Sequence, residues 1–437
     1  MQNIQFMRDI PVRHEVDVFV AGGGPAGTAA AIAAARQGAG VFLAEEQACL
    51  GGLGTTGLVP AFMCFGDGVR FLAAGIGEEF LRRMWRYGGE AYEKSQTFSI
   101  KIEALKRVYD DMMREAGAHF ALHTKLVAVE SDGKNIQHCV MAAKSGMYAV
   151  RAKVYIDCTG DADLAAWAGA PFDKGDEQGR VMASTLASLW ANIDWNRVEH
   201  PDERALGKAF EDGVFTKPDW HLPGMWKISD CVGGGNIGHV FGVDATDERS
   251  LTEGLVYARR LYDEYETYYK QYLTGFERME LVATGAMLGV RESRRIRGEY
   301  QLVLDDFRRQ AVFEDEIGRY CYPVDIHGSD NSKDSYDKTM TEHFGFRYKT
   351  GESYGVPYRI LVPREIDNLL VAGRCISADR YMQGSLRVMP GCYITGQAAG
   401  VAAAQCAKEG TLPRKADVHN VQKALKEMGM YLPNYDG

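Results

Sequence analysis

The chain has 437 residues, enough for about two or three domains. A hydrophobic fraction of 46% and a charged fraction of 25% are typical of a globular protein. A formal net charge of -9 argues against a nucleic-acid partner, because an anionic surface repels phosphate, and no apolar run reaches the roughly 18 residues of a membrane span.

Targeting and metal-binding signals are both missing from the sequence. Residues 1–16 lack the apolar stretch of a signal peptide. The nine cysteines include no C-x-x-C pair, which argues against structural zinc, iron–sulfur clusters and a thioredoxin-type dithiol. We therefore expect a cytoplasmic protein with reduced thiols and no metal site.

The first half of the chain opens with a βαβ unit. A buried strand is predicted at 16–21, an Ala-rich helix at 25–37 and a second strand at 41–45. Helices follow at 71–87 and 102–116, where apolar residues recur with helical spacing.

The pattern then changes to short alternating strands over 119–157, which predict a small antiparallel meander. Beyond residue 173 the sequence is irregular and rich in aromatic residues. The elements predicted there are a helix at 251–273, a long polar loop at 325–354, a strand at 369–372 and an Ala/Gly-rich helix at 393–408.

Gly22, Gly24 and Gly27 form a G-x-G-x-x-G motif between the first strand and the first helix. In a dinucleotide-binding fold the first glycine permits a tight turn, the second lets the pyrophosphate approach the backbone, and the third lets the helix pack closely. Pro25 suits the first helical turn, whose free N–H groups face the phosphates. Glu45 ends the second strand, where an acid binds a ribose hydroxyl.

A second G-x-G-x-x-G, made by Gly233, Gly235 and Gly238, lacks this context. The residues after it, HVFGVDATDE, do not favour a helix, and no βαβ pattern follows. We interpret it as a loop. The sequence therefore predicts one dinucleotide-binding fold and no second one for NAD(P).

Several blocks occur in a fixed order between about residues 16 and 410: VDVFVAGGGPAGTAAAIAAARQGAGVFLAEE, CLGGLGTTGLV, VYIDCTGDADLAAWAGA, GVRESRRIRGEYQL, YPVDIH, VPYRILVP and NLLVAGRCISADRYMQGSLRVMPGCYITGQAAGVAAA. Together they resemble the FAD-dependent oxidoreductases of the glutathione-reductase-like flavoprotein superfamily. Within it, the chain is most similar to a large, mainly bacterial group called the FAD-dependent oxidoreductase family.

The resemblance implies FAD as cofactor and an α/β fold, in which a Rossmann-type, glutathione-reductase-like FAD-binding domain carries an inserted mixed α+β substrate domain. The expected FAD domain covers 1–170, with a helical insertion at about 60–118, and 361–437; the substrate domain covers 171–360. The implied FAD-binding residues are Gly22, Gly24, Pro25, Ala26, Gly27, Glu45, Glu46, Gly52, Thr55, Val127, Thr159, Gly160, Asp161, Gly373, Arg374, Arg387, Gly396 and Ala399.

The resemblance also implies that the last helix begins at the pyrimidine end of the flavin. There its dipole stabilises negative charge at N1 and O2 of the reduced flavin. Small residues at Gly396, Ala399 and Gly400 are expected to permit a close approach.

The sequence lacks residues that are typical of three classes of flavoenzyme. Cys49 has no nearby cysteine before Cys64, which argues against a disulfide reductase. Gly373-Arg374 stands where aromatic-ring hydroxylases carry Gly-Asp, and no histidine follows the second strand to attach flavin as in fumarate-reductase-type enzymes. A dehydrogenase or reductase that uses free FAD remains.

Arginines in the GVRESRRIRGEY block are candidates for binding a substrate carboxylate. If the segment is helical, Arg291 and Arg295 share a face with Arg294 beside them. A structural role through ion pairs with Glu292 or Glu299 is the alternative.

Asp325 and His327 are two residues apart and would point the same way on a strand. A histidine of near-neutral pKa can accept a hydroxyl proton while hydride leaves for flavin N5, with Asp325 as its orienting partner. A structural Asp–His pair is the alternative. Tyr358, Arg359 and Arg387 are further catalytic candidates.

These observations predict FAD-dependent dehydrogenation or reduction of a small hydroxylated or carboxylated metabolite. The alternatives are a flavin-dependent oxidase or monooxygenase, and a non-catalytic flavin-binding redox sensor or assembly partner. The sequence does not identify the electron acceptor, and it is compatible with a homo-oligomer.

Overall fold

The computed structural model describes residues 4–85 and 97–435. The strands in this part of the chain are β1 (Val12–Ala21), β2 (Val41–Ala44), β3 (Ala61–Phe62), β4 (Phe98–Ser99), β5 (His119–Ala121), β6 (Lys125–Ser131), β7 (Ile136–Ala143), β8 (Gly146–Asp157), β9 (Phe172–Lys174), β10 (Ser188–Ala191), β11 (Gly224–Lys227), β12 (Gly233–Asn236), β13 (Glu280–Thr284), β14 (Arg294–Ile296), β15 (Glu316–Tyr320), β16 (Tyr354–Pro357) and β17 (Leu369–Val371).

The helices of the described residues lie between and after these strands. They are α1 (Pro25–Arg36), α2 (Ile76–Trp85), α3 (Ile102–Glu115), α4 (Asp163–Trp167), α5 (Glu203–Glu211), α6 (Glu248–Tyr272), α7 (Leu304–Arg308), α8 (Lys333–Gly345), α9 (Arg380–Leu386), α10 (Met389–Glu409) and α11 (Val418–Glu427). Among the described residues, none of these helices is long and apolar enough to cross a membrane.

The main sheet has the strand order β5-β2-β1-β8-β7-β6, and β17 pairs with the end of β8. The pairs among β5, β2, β1, β8 and β17 are parallel. The second half of β1 is buried on both faces, as a continuous apolar run in a parallel sheet predicts. Strands β6, β7 and the start of β8 form an antiparallel meander. The meander predicted over 119–157 is too long, because β5 and the rest of β8 pair in parallel with β2 and β1.

Helices α1 and α10 lie side by side on one face of this sheet. A Cβ at Gly396 would lie 2.2 Å from the Ala26 carbonyl oxygen, and one at Gly400 would lie 2.1 Å from that of Ala30. The contacts advance in the same direction along both helices, so the helices are parallel. At a rise of 1.5 Å per residue, the N-terminus of α10 extends about 10 Å past the N-terminus of α1.

A second, smaller sheet has the order β11-β12-β10-β13 and packs with α5 and α6 around its own core, which includes Trp190, Tyr262 and Tyr269. Apolar residues between Leu302 and Leu361 instead belong to the core of α1 and α10. The domain boundary expected at residue 360 does not coincide with the division between these two hydrophobic cores. The domain limits stay a prediction.

The structure differs from three local expectations. The helix on which the shared face of Arg291 and Arg295 was conditional is absent, because Arg294–Ile296 is strand β14, paired with β9. The expected loop at 325–354 contains helix α8, which is capped by Ser332. The second glycine motif contains strand β12 rather than a loop. The other predicted helices and strands are present, although residues 86 and 87 of the helix expected at 71–87 lie outside the described residues.

Candidate functional site

Four adjacent parallel strands end at one edge of the main sheet. Gly22 follows β1, Glu45 follows β2, Thr159 and its neighbours follow β8, and Gly373 follows β17. Ligands of open α/β sheets bind outside the carboxyl ends of the strands. The fold thus brings together most of the residues predicted to bind FAD.

The glycines of the first turn have different surroundings. Gly22 has φ +92°, and a Cβ there would lie 2.6 Å from the Cys158 carbonyl oxygen. A Cβ on Gly27 would lie 1.8 Å from the Gly22 carbonyl oxygen, so this glycine lets α1 pack on the turn. No atom lies within 4 Å of a Cβ built on Gly24. The open space at Gly24 is where a pyrophosphate would lie.

The start of α1 and the carboxylate of Glu45 both fit a dinucleotide. No side chain caps the α1 N-terminus, so its first N–H groups are available to an anion. Glu45 is buried, which raises its pKa, and its two oxygens accept the N–H groups of Gly23 (2.6 Å) and Gln47 (2.8 Å). Each oxygen keeps a lone pair for a ribose hydroxyl. The residues present therefore fit FAD.

Other predicted FAD residues line the same edge. Gly52 lies against Gly24, since a Cβ there would be 3.2 Å from the Gly24 Cα. Arg374 donates to the Gly160 carbonyl (3.0 Å) and to Asp161 Oδ1 (2.6 Å), which joins the turns after β17 and β8. These residues hold the turns together, and their contacts with the cofactor stay a prediction.

Some predicted FAD residues use their side chains elsewhere. The hydroxyl of Thr55 donates to the Leu50 carbonyl (2.6 Å), and that of Thr159 donates to Asp157 (2.7 Å). Glu46 is exposed and pairs with Lys125, and Val127 is exposed on β6.

The expectation for Gly396 and Ala399 needs correction. Both residues are buried, and Gly396 packs against the backbone of α1. The close approach that the small residue at Gly396 permits is between α10 and α1, because a Cβ would overlap α1. The start of α10, two turns earlier, is the part that can face a flavin.

Arg387 connects the start of α10 to a second group of polar residues. It lies directly before Val388, which occupies the N-cap position of α10 and whose side chain does not cap the helix. Its guanidinium donates to Asp325 Oδ2 (3.0 Å), and its buried Nε has no hydrogen-bond partner among the described residues. An unpaired buried donor beside a free helix N-terminus indicates a ligand site.

Asp325 and His327 are in contact, although their segment is not a strand. Asp325 Oδ1 lies 3.2 Å from His327 Nε2. The other ring nitrogen, His327 Nδ1, is 3.0 Å from His239 Nε2, and His239 Nδ1 is 3.2 Å from Asp219 Oδ2. The ring of His221 lies against both imidazoles, with centroid distances of 4.6 and 5.0 Å.

The environment of these rings is buried and polar. Burial lowers the pKa of His221 to about 3. Burial and the positive charge of Arg291 lower the pKa of His327 well below its ordinary value, although Asp325 opposes the shift. Arg291 is itself buried and donates to the Ala183 carbonyl (2.8 Å) and to Thr185 (2.9 Å). The rings of His221 and His327 are therefore neutral at pH 7.

The other two arginines of this block are used within the protein. Arg294 donates to Asp163 Oδ1 (2.7 Å) and to the Asp161 carbonyl (2.9 Å). Arg295 pairs with buried Glu292. Both guanidinium groups are thus engaged by groups of the protein, as in the structural alternative, although the buried Nε of Arg295 has no hydrogen-bond partner among the described residues.

Tyr358 and Arg359 lie away from the polar group. The Tyr358 hydroxyl donates to the Pro413 carbonyl (2.9 Å), just after the C-terminus of α10. A helix of 21 residues is about 30 Å long, so this hydroxyl lies near the opposite end of α10 from Arg387. Arg359 is exposed and pairs with Asp315 (2.9 Å).

Sequence reasoning missed Asp219, His221 and His239. The first two repeat the Asp-x-His spacing of Asp325 and His327, which was the one local signal available. His239 follows the second glycine motif directly. Gly238 turns the chain there with φ +78°, and a Cβ would lie 2.8 Å from Tyr265.

Three solved structures show a distant similarity to this chain. A geranylgeranyl bacteriochlorophyll reductase-like protein from Thermoplasma acidophilum has a TM-score of 0.46 at 14% identity over 95% of this chain and 83% of its own. The p-nitrophenol 4-monooxygenase PnpA from Pseudomonas putida gives 0.48, 12%, 94% and 84%, and a flavoprotein/dehydrogenase from Cytophaga hutchinsonii gives 0.45, 12%, 95% and 82%. These values are too low to transfer a substrate or reaction.

A comparison with curated proteins gives no match. A family model, described as FAD dependent oxidoreductase, matches residues 17–425. The match covers both the glycine turn and α10. The chain therefore belongs to the FAD dependent oxidoreductase family and is an FAD-binding enzyme.

Proposed function

We propose that this enzyme dehydrogenates or reduces a small molecule that carries hydroxyl or carboxyl groups, by hydride transfer at N5 of FAD. The observation that carries the proposal is the continuous set of polar contacts from the start of α10 to the histidines. Arg387 stands at the uncapped helix and binds Asp325, which in turn binds His327. One small ligand beside Arg387 would contact both the uncapped start of α10 and the polar residues around Asp325 and His327.

Bound FAD supplies the two-electron chemistry, while the chain binds the cofactor and handles the proton. The turn at Gly24, the start of α1 and Glu45 would hold the nucleotide part. Asp325 would orient His327 through its contact with Nε2, but His327 Nδ1 faces His239 rather than open space. A substrate proton would therefore reach His327 through the cluster, whose most exposed member is His221.

The charges favour an anionic or hydroxylated substrate. The unpaired Nε of Arg387 and the buried guanidinium of Arg291 both face this region, and each can stabilise a carboxylate or a developing alkoxide. In this proposal the glutathione-reductase-like FAD domain comes from both ends of the chain, and residues 171–360 supply the inserted substrate domain with His221, His239 and His327.

Anaerobic flavin bleaching tests the proposal. The FAD-loaded protein is mixed with a panel of hydroxy acids, polyols and amino acids, and the oxidised flavin absorbance is followed. We expect a subset of hydroxylated or carboxylated compounds to bleach the flavin. Failure of every compound would favour a non-catalytic flavin-binding protein, and rapid reoxidation of the reduced protein in air would favour an oxidase or monooxygenase.

A further inference from the structure

Three imidazoles from distant parts of the chain meet at one point. His221 lies before β11, His239 after β12 and His327 after β15. One ring nitrogen of each lies within 4.8 Å of a ring nitrogen of the other two. His239 and His327 are buried, and His221 is half-buried. Ring nitrogens that are grouped in this way and largely shielded from water can serve together as ligands of a metal ion.

Two of these rings are held from outside by carboxylates. Asp219 lies against the outer nitrogen of His239 and Asp325 against that of His327, each at 3.2 Å. A carboxylate accepts a hydrogen bond from the N–H on such a nitrogen, so the inner nitrogen of the neutral ring keeps its lone pair. The inner nitrogens of His239 and His327 face each other at 3.0 Å. Two lone pairs at this distance repel unless a cation lies between them.

The third ring distinguishes a metal ion from a shared proton. A proton between His239 and His327 would use only those two nitrogens, and His221 would have no part in it. A metal ion uses all three, at bonds of about 2.0–2.1 Å for zinc. Imidazole is a preferred ligand of zinc, copper, iron and nickel, and metal-binding histidines commonly donate their outer N–H to a carboxylate.

We propose that His221, His239 and His327 bind one divalent first-row transition metal ion, with Asp219 and Asp325 as the positioning carboxylates. No metal site is expected from the cysteine pattern, because these ligands are histidines that no short motif joins.

The charged residues around the three histidines determine which ligand would occupy the open position of the metal ion. The carboxylates of Asp219 and Asp325 balance the guanidinium groups of Arg291 and Arg387. A divalent ion on the three rings therefore keeps its two positive charges, and its open position would take an anionic oxygen. This oxygen would be either a substrate carboxylate or a hydroxide, and the hydroxide, held in place by His327, would then accept the substrate proton instead of the His327 lone pair. This ligand class rests on the proposed function, whereas the binding of the ion does not.

Zinc titration of the FAD-loaded protein tests the ion itself. The protein is treated with chelator, dialysed and titrated with zinc sulfate in a calorimeter. We expect one site per chain, at least a hundredfold weaker binding in His239→Gln, and about 10–100-fold weaker binding in Asp219→Asn. His200→Gln removes an exposed histidine outside the cluster and should bind zinc as the wild type does.

Equal zinc uptake by the wild type and His239→Gln, or no uptake by the wild type, would overturn the proposal. Retained flavin absorbance and melting temperature show that each variant is folded. If His239→Gln does not fold, Asp219→Asn and a zinc-edge anomalous map of wild-type crystals decide, with a peak among the three rings expected. Zinc binding without flavin reduction by any compound would uphold the ion and refute the proposed function.

Discussion

At the scale of single residues, the glycines of the first turn have separable roles. Gly22 and Gly27 are required by the protein, because a Cβ at either would meet backbone oxygen. Gly24 has extended backbone angles that any residue adopts, and its surroundings are open. The motif predicted all three from sequence, because the turn depends on local geometry.

Gly24→Val is therefore expected to give folded but colourless protein. The valine side chain would occupy the pyrophosphate space, while the free energy of unfolding of the apoprotein should change by less than about 0.5 kcal/mol. Flavin absorbance and urea unfolding measure the two effects. Gly22→Ala is the contrast, with a loss of about 1–3 kcal/mol from the strained positive φ. Stoichiometric FAD in Gly24→Val would show that the cofactor lies elsewhere.

Arg294→Lys tests whether this arginine is structural. Lysine keeps the charge but lacks the reach and the planar geometry with which the guanidinium contacts Asp163 and the Asp161 carbonyl, so we expect a loss of about 1–2 kcal/mol of stability and weaker FAD retention. Arg297→Lys, at an exposed pair with Asp173, should change stability by less than about 0.5 kcal/mol. A large rise in substrate KM with unchanged stability would instead restore the role of Arg294 as a substrate ligand.

At the scale of elements, periodicity predicted the parts of the fold that are long or strongly patterned. The first βαβ unit, α3, α6 and α10 follow from local spacing. Two of the differences, at β14 and β12, occurred where tertiary pairing outweighs local preference. Strand β14 contains two arginines and exists because it pairs with β9, and β12 contains three glycines and exists because it lies between β10 and β11.

Gly400→Ala tests the packing of α10 on α1. The added Cβ would lie 2.1 Å from the Ala30 carbonyl oxygen, so the helices must separate. Overpacking of this kind costs about 1–3 kcal/mol. Gly207→Ala, in α5 with no atom within 4 Å, should instead be neutral or stabilising by up to about 1 kcal/mol. Urea unfolding measures both, and equal stability of the two variants would contradict the parallel packing.

At the scale of the whole molecule, the sequence predicted the cofactor better than the substrate side. The residues predicted to bind FAD come from blocks with recognisable local motifs. The histidine cluster joins three segments separated by up to about a hundred residues, and only the fold brings them together. Apart from the repeated Asp-x-His spacing, a single sequence gives no signal that these distant residues lie close together in the fold.

NADH and NADPH are expected to reduce the bound flavin poorly. The second glycine motif pairs on both sides within the small sheet, so its backbone N–H groups are not directed at a phosphate. Stopped-flow mixing under anaerobic conditions checks this, with dithionite as the control for a reducible flavin. Stoichiometric bleaching by micromolar nucleotide would require a nicotinamide site that this account lacks.

The central claim is that the histidine cluster forms the substrate side of the FAD site. The most direct measurement is the anaerobic rate of flavin reduction, in wild type and His327→Gln, by the compound that bleaches the flavin fastest. We predict a rate about 10²–10⁴-fold lower in the variant, the usual contribution of a proton acceptor, with FAD content unchanged and His200→Gln unaffected. A near wild-type rate in His327→Gln would contradict the claim.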